Sequence, residues 1–547
     1  MRSSSTKLNY LLVGVVCIAT FFINNEVIMP DIMESRNIVT AREMVYDHNW
    51  LIPTMNGELR LEKPPLPTWL TAVAEIISPD SLALQRAMAG LAALLLVFYF
   101  WKMASRILRM NPLIPTLILL TCYNIILMGR TASWDIYCHA FMMGGIYHLA
   151  RALGTSSKSL IHFLVAGLFT GLSIMSKGPV SPYALFLPFL ISYGLVYRPK
   201  TRGKIAPLIM MSLLALVIGA WWYIYVHVAA SDALGAVVEK ESGSWLNRNV
   251  RPWWYYWQFF LETGIWSILL LTAIFLPLCN KQRRSSSQWL FSVVWMFASL
   301  VLLSLMPEKK TRYLLPLLIP AAYTMGCLVE WWRKAFREHS VPTTIDRCCY
   351  RINSGLVTFA VAILPIAAWW FLVRDNHINW FTWSILTIID ILLAGYLLMA
   401  TLQMRPMRLL YGVTFLFVVA ECLALPMLTG VINNPDIKSI EATRKIKTIE
   451  GIPFYHPESE DLRIEIVYAA HRNIRPVATE SIQAKLPCVL LTHKPLEEML
   501  TKEKLNGMEI IPIGTYDDNR RPKGNRRYKE DFIYHVTLLK HKADTAE

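Results

Sequence analysis

Charge is scarce in this sequence. Asp, Glu, Lys and Arg make up 17% of its 547 residues, against about a quarter in an ordinary soluble domain, so a large soluble core is not the expected reading. There is no Walker loop, no Gly-rich dinucleotide fingerprint and no HExxH, and soluble nucleotide cofactors are therefore not expected. Internal repeats and low-complexity segments are also missing. The last stretch of the chain contains one cysteine, Cys488, so no disulfide can close within it. What the sequence has in abundance is apolar surface: 54% of residues are hydrophobic, with 19 Trp and 23 Tyr. Such amphipathic rings settle at the headgroup level of a bilayer. The net charge of +15 is scattered in short clusters between apolar runs, which suits topology signals better than nucleic-acid binding.

Apolar runs of near-spanning length cover 8–24, 83–101, 113–129, 136–150, 160–176, 179–197, 206–228, 262–279, 288–306, 313–331, 353–373, 381–402 and 409–431. The expected fold is thus a polytopic α-helical membrane protein with about thirteen spans. The first run follows Arg2 and Lys7 like a signal peptide, but Asn24, Asn25 and Glu26 offer no small-residue cleavage site, so it is read as a retained span. Histidines inside runs, such as His139, His148 and His162, are expected to bond between helices rather than bind metal.

With a cytoplasmic N-terminus, the basic clusters fall on one side: Lys102/Arg106/Arg109, Arg151/Lys158, Arg198–Lys204, Lys281/Arg283/Arg284, Arg333–Arg351 and Arg405/Arg408. That is the positive-inside bias, and it puts the chain after the last span outside the cytoplasm. Residues 1–432 form the expected membrane domain, with long outer loops at 25–82 and 229–261. Residues 433–547 are read as a small periplasmic α/β domain, with helix-like stretches at 436–449, 460–471 and 495–505 and strands at 452–456, 488–493, 509–516 and 531–540. A bacterial inner membrane is the expected location.

Cations on the outer side did not set topology and are functional candidates. In the first loop, Asp31, Glu34 and Arg36 lead into a helical pattern, Glu34 to Asp47, containing Arg42-Glu43-Met44. Carboxylates there can cap a helix start equally well, or one can act as a base while an arginine grips a lipid phosphate. Next, Glu62-Lys63 is locked by Pro64 and Pro65, either as a salt-bridged surface turn or as a phosphate-binding turn with Glu62 as orienter or metal ligand. Short outer loops add Arg130 and Asp135, Lys177, and the segment Glu308-Lys309-Lys310-Thr311-Arg312-Tyr313. Each can simply anchor a span end. Together they supply the several cations that phosphate wants and the carboxylate that group transfer wants. The aromatic run Trp253–Trp257 reads as an interfacial piece.

At these residues the sequence resembles the C-type glycosyltransferases, membrane enzymes that take sugars from polyprenyl-phosphate donors. It is most similar to the 4-amino-4-deoxy-L-arabinose lipid A transferase branch, near the protein O-mannosyltransferases. Glu34-Ser35-Arg36 and Arg42-Glu43-Met44 match the family's first-loop pattern, whose catalytic aspartate aligns at Met33 or, with a two-residue insertion, at Asp31. Glu62-Lys63-Pro64, Asp135, Ser176-Lys177-Gly178 and Lys309 to Tyr313 match its later motifs. The resemblance implies that Asp31, Glu34 and Asp135 serve catalysis and that Arg36, Lys63, Arg312 and Tyr313 hold the donor phosphate. Lys177, Glu62, Lys309 and Lys310 would then face the sugar or acceptor. Where some members carry a histidine in the second long loop, this chain has Lys240. A divalent cation near Glu62 is the one cofactor entertained.

The function so implied is an inverting transfer of a sugar from undecaprenyl phosphate to lipid A or a related envelope acceptor at the periplasmic face. Protein O-glycosylation is the alternative, and a lipid-linked sugar flippase a more distant one, since the charges lie at span ends rather than on broken midplane helices.

Overall fold

A computed structural model describes residues 2–154, 159–337, 343–499 and 507–542. Lys158 and most of the stretch expected as a helix at 495–505 lie outside them. The described chain is mostly helical and divides into two compact units. One comprises Met1–Glu26, Leu61–Leu70 and Ser81–Met427; the other comprises Val27–Arg60, Thr71–Asp80 and Leu428–Glu547. The second unit therefore takes in much of the first long loop as well as the tail, and the boundary drawn from composition at 432 falls within it.

In the first unit every expected apolar run carries helix, and nine of the described helices are long and apolar enough to cross a membrane. They are Leu82–Ile107, Ser159–Lys177, Ile205–Ala229, Trp253–Cys279, Ser287–Leu305, Thr311–Arg337, Thr344–Val373, Trp380–Leu402 and Pro406–Met427. Lys7–Phe21 and Pro182–Tyr197 are apolar but shorter. The run at 113–129 is not one helix. It breaks between Leu113–Leu120 and Tyr123–Gly129, where the Thr121 hydroxyl donates back to the Leu117 carbonyl at 2.8 Å and accepts from the Trp266 indole at 2.7 Å, and Cys122 turns extended. Such back-bonding offers the chain an alternative to the next helical turn.

The helix Asp135–Gly154 carries Asp135, His139, His148 and Arg151 and is nonetheless largely buried. It packs closely on Ser159–Lys177 because two small residues allow it: a Cβ on Gly144 would lie 2.8 Å from the Phe169 ring, and one on Gly145 2.8 Å from the Thr170 hydroxyl. The intramembrane histidines bond between helices as expected. His139 Nδ1 is 3.0 Å from the Ser181 hydroxyl, and His148 Nδ1 is 2.9 Å from His162 Nδ1. The second long loop holds more structure than its composition suggested. Ser231–Asn247 is helical, and Trp253–Trp266 is a 3₁₀ helix that runs into the next span through a kink at Gly264.

The second unit is a mixed five-stranded sheet with helices on it, together with a small hairpin. In the hairpin, β1 (Thr54–Met55) and β2 (Glu58–Leu59) are joined by Asn56-Gly57, both at positive φ (58° and 79°). A two-residue turn of that geometry matches the twist of its strands. In the sheet, β3 (Phe454–Pro457), β4 (Ile474–Val477), β5 (Cys488–Thr492), β6 (Met508–Asp517) and β7 (Ile533–His541) lie in the order β4-β3-β5-β7-β6. The pairs β3–β4 and β3–β5 are parallel, and those involving β7 are antiparallel. Sequence reading missed β4, an edge strand carrying Pro476, because proline there weakens the strand signal. The stretch expected as a helix at 436–449 is two short 3₁₀ turns, Ile440–Lys445 and Lys447–Ile449. From the first loop, the helix Ile32–Tyr46 adds Val39 to a core of Ile440, Ile449, Phe454, Ile466 and Val536.

Candidate functional site

In the first unit the candidates converge on Tyr313. Asp135 begins one helix and Lys177 ends the next, and the two close spans described above bring them into a direct ion pair, 2% and 6% exposed. The Lys177 ammonium lies 5.4 Å from the Tyr313 ring centre, and Lys310 and Arg312 lie 5.7 Å from it. Three cations therefore surround one tyrosine, beside two buried carboxylates, Asp135 and Glu308. Cation–π attraction adds to a charge density that suits phosphate.

The segment holding Tyr313 is fixed by partners that the sequence reading did not assign. Glu308 pairs with Lys310 and accepts from the Tyr313 hydroxyl at 3.2 Å. The Tyr256 hydroxyl accepts from the Lys310 backbone N–H at 2.9 Å and donates to its carbonyl at 3.1 Å. Val250 and Glu308 form an antiparallel bridge, so the end of the second long loop is laced to this segment. Tyr256 was hidden in an aromatic run that reads as interfacial. Lys309 is buried and donates to the Met306 carbonyl, which ends the preceding span.

Other outer cations have anchoring work. Arg130 donates to the Thr20, Ile23 and Asn24 carbonyls at 2.7–2.9 Å and pairs with Glu421 at 2.8 Å, tying the first helix to the last span. Lys63 and Glu62 stand on the turn before the helix Leu66–Ile77. Glu62 lies 4.0 Å from the exposed Lys240 ammonium. Among the described residues no three His, Cys, Asp or Glu group as metal ligands.

Asp31, Glu34 and Arg36 belong to the second unit. Asp31 is the N-cap of Ile32–Tyr46: its Oδ1 accepts from the Met33 and Glu34 N–H groups at 2.8 and 2.9 Å, while Glu34 accepts from the Asp31 N–H at 3.4 Å. That is a complete capping box. Asp31 is nevertheless exposed, and its second oxygen makes none of these cap bonds. Met33 lies in the first helical turn. Farther along the helix, Arg42 pairs with Asp80 and donates to the Tyr468 carbonyl at 2.8 Å, and Glu43 accepts from Thr54, Asn56 and Gly57 of the hairpin. Burial raises Glu43 above the usual carboxylate range against those hydrogen bonds. Burial would also raise Asp80, but His471, Arg42 and Arg444 hold it well below that range.

The helical frame and the charged cluster around Tyr313 define a class, a multi-span membrane protein with the fold of the C-type glycosyltransferases. The fold is shared with ArnT from Cupriavidus metallidurans bound to undecaprenyl phosphate, at a TM-score of 0.66, 15% identity and 98% coverage of both chains. Residues 62–224 match the model of the dolichyl-phosphate-mannose-protein mannosyltransferases. An uncharacterized protein of Aquifex aeolicus is 26% identical over 317 residues, 56% of this chain and 61% of that one. The undecaprenyl phosphate-alpha-4-amino-4-deoxy-L-arabinose arabinosyl transferase 1 of Pseudomonas fluorescens is 24% identical over 320 residues, 56% of this chain and 54% of its own length. The chain thus spans between half and two thirds of these curated relatives. It is similar to these proteins in fold and over part of its sequence.

Proposed function

We propose that the chain transfers a sugar, with inversion, from undecaprenyl phosphate to lipid A or a related envelope acceptor at the periplasmic face of a bacterial inner membrane. The observation that carries this reading is the gathering of Lys177, Lys310 and Arg312 about Tyr313 beside buried Asp135. In the transfer, an acceptor oxygen attacks the anomeric carbon, and the bond to the phosphate oxygen breaks with its electron pair. The departing lipid phosphate is then a dianion, and fixed cations lower the barrier by meeting that charge without proton transfer. Asp135 holds Lys177 in place. A phosphate acceptor is already anionic, whereas a hydroxyl acceptor needs a base, for which exposed Asp31 is the first choice. The N-terminus is cytoplasmic and the soluble unit periplasmic in this reading, on the positive-inside bias of the loops. The relatives named undecaprenyl phosphate-alpha-4-amino-4-deoxy-L-arabinose arabinosyl transferases support an undecaprenyl-phosphate donor.

The matching family model, described by protein mannosylation, favours a second reading with a protein acceptor. Mass spectrometry of lipid A and of glycopeptides from cells lacking the chain separates the two. Loss of a sugar on lipid A supports the first, and unchanged lipid A with lost glycopeptides overturns it.

A further inference from the structure

The motif Arg42-Glu43-Met44 has no part in the cluster around Tyr313, yet it lies on a cavity of about 490 Å³ wholly within the second unit. That volume is typical of a small-molecule site. One wall is the last turn of Ile32–Tyr46, with Arg42, Glu43 and Tyr46, followed by Asp47; the facing wall is His471, Arg472 and Asn473. We propose that this cavity is a saccharide-binding cleft, taking a neutral or amino sugar of one or two rings.

The side chains carry the argument. The guanidiniums of Arg42 and Arg472 balance the carboxylates of Glu43 and Asp47 one for one, so the walls do not build the net positive field that a bare phosphate needs. Carboxylate, guanidinium and carboxamide are the groups whose paired donors and acceptors match neighbouring sugar hydroxyls. Tyr46 is 52% exposed, and its ring stands 6.3 Å from that of His471, offering an aromatic surface to the C–H face of a sugar.

The walls are preorganised. Behind them Asp80 is shared by Arg42, Arg444 and His471. His48, Asp80 and His471, at or behind the rim, all hold positive φ (59°, 60° and 55°), a conformation kept only where surrounding structure enforces it. Rigid walls lose little freedom when a ligand binds. The inference rests on this unit alone and stands apart from the transfer reaction.

Saturation-transfer NMR on the purified full-length protein in detergent tests it, with glucosamine, N-acetylglucosamine and chitobiose as probes and inorganic phosphate as competitor. The expected result is saturable transfer to at least one saccharide that phosphate does not displace. It should weaken about tenfold in the rim double variant Tyr46→Ala/Asp47→Ala, the loss of one stacking surface and one charged hydrogen bond. Transfer to none of the three saccharides, binding unchanged in the variant, or displacement by phosphate each overturns the cleft. The same measurement on Asp135→Asn/Lys177→Gln, which should bind saccharide normally, keeps failure of the cleft distinct from failure of the transferase reading.

Discussion

Two carboxylates, half-buried Asp80 in one unit and buried Asp135 in the other, hold cations in contrasting ways. Asp80 is shared by Arg42, Arg444 and His471, residues from three separate stretches, so its charge stitches loops of one unit together. Asp135 pairs with Lys177, and Lys177 faces Tyr313 with two further cations about the same ring. Structure explains the first arrangement completely, because each cation joins a different segment to Asp80. The second gathers three cations about one aromatic ring, a charge density that a site for an anionic leaving group requires.

The comparison can be broken most forcefully at Lys177. Lys177→Ala leaves Asp135 buried and unpaired, at an expected cost of about 3–5 kcal/mol in thermal or denaturant unfolding. Asp135→Asn/Lys177→Gln should restore most of that stability and still lack transfer. Recovery of transfer together with stability would make the pair structural, like Asp80.

Asp80 itself should report through pH. Its carboxyl is held well below the usual range, so its stabilisation is fully present above about pH 4 and is lost as pH falls through the folded value. Hydrogen exchange in Ile32–Tyr46 and Ile464–Ala470 should therefore lose protection on acidification. In Asp80→Asn that dependence should be flattened. An unaltered pH profile would remove Asp80 from the account of the second unit.

A smaller effect separates capping from catalysis at Asp31. Asp31→Ala should cost about 1 kcal/mol as a lost N-cap, whereas Asp31→Ser keeps the cap at nearly full stability. If transfer to a hydroxyl acceptor falls equally in both, Asp31 acts as a base; if the serine variant transfers normally, the capping box is its whole role. Smallest of all should be Lys240→Ala, which removes an exposed partner of Glu62 and is expected to change stability by less than about 1 kcal/mol.

The apolar frame was legible because spans are written in contiguous runs, and each expected run carries helix. The break at Thr121–Cys122 was not, since it depends on Trp266, a partner far along the chain. The same limit governs the sites. Lys177, Lys310, Arg312 and Tyr313 stand out as charges and aromatics at span ends, but Tyr256 and Glu308, which position them, become visible only through long-range bonds. Asp31 and Glu34 show the reverse case. The sequence allowed both capping and chemistry, and the structure shows the capping box in full. The joining of Val39 and the Arg42-Glu43-Met44 stretch to the tail could not be read from local pattern at all, because its partners begin some four hundred residues later.

The central claim is that the cations around Tyr313 receive a lipid phosphate, and release of that phosphate is its most direct measure. Purified protein in lipid is supplied with an undecaprenyl-phosphate-linked sugar and lipid A, and free undecaprenyl phosphate is followed by mass spectrometry. The account predicts acceptor-dependent release by the wild type and none by the folded Asp135→Asn/Lys177→Gln variant. Equal release by both would contradict it.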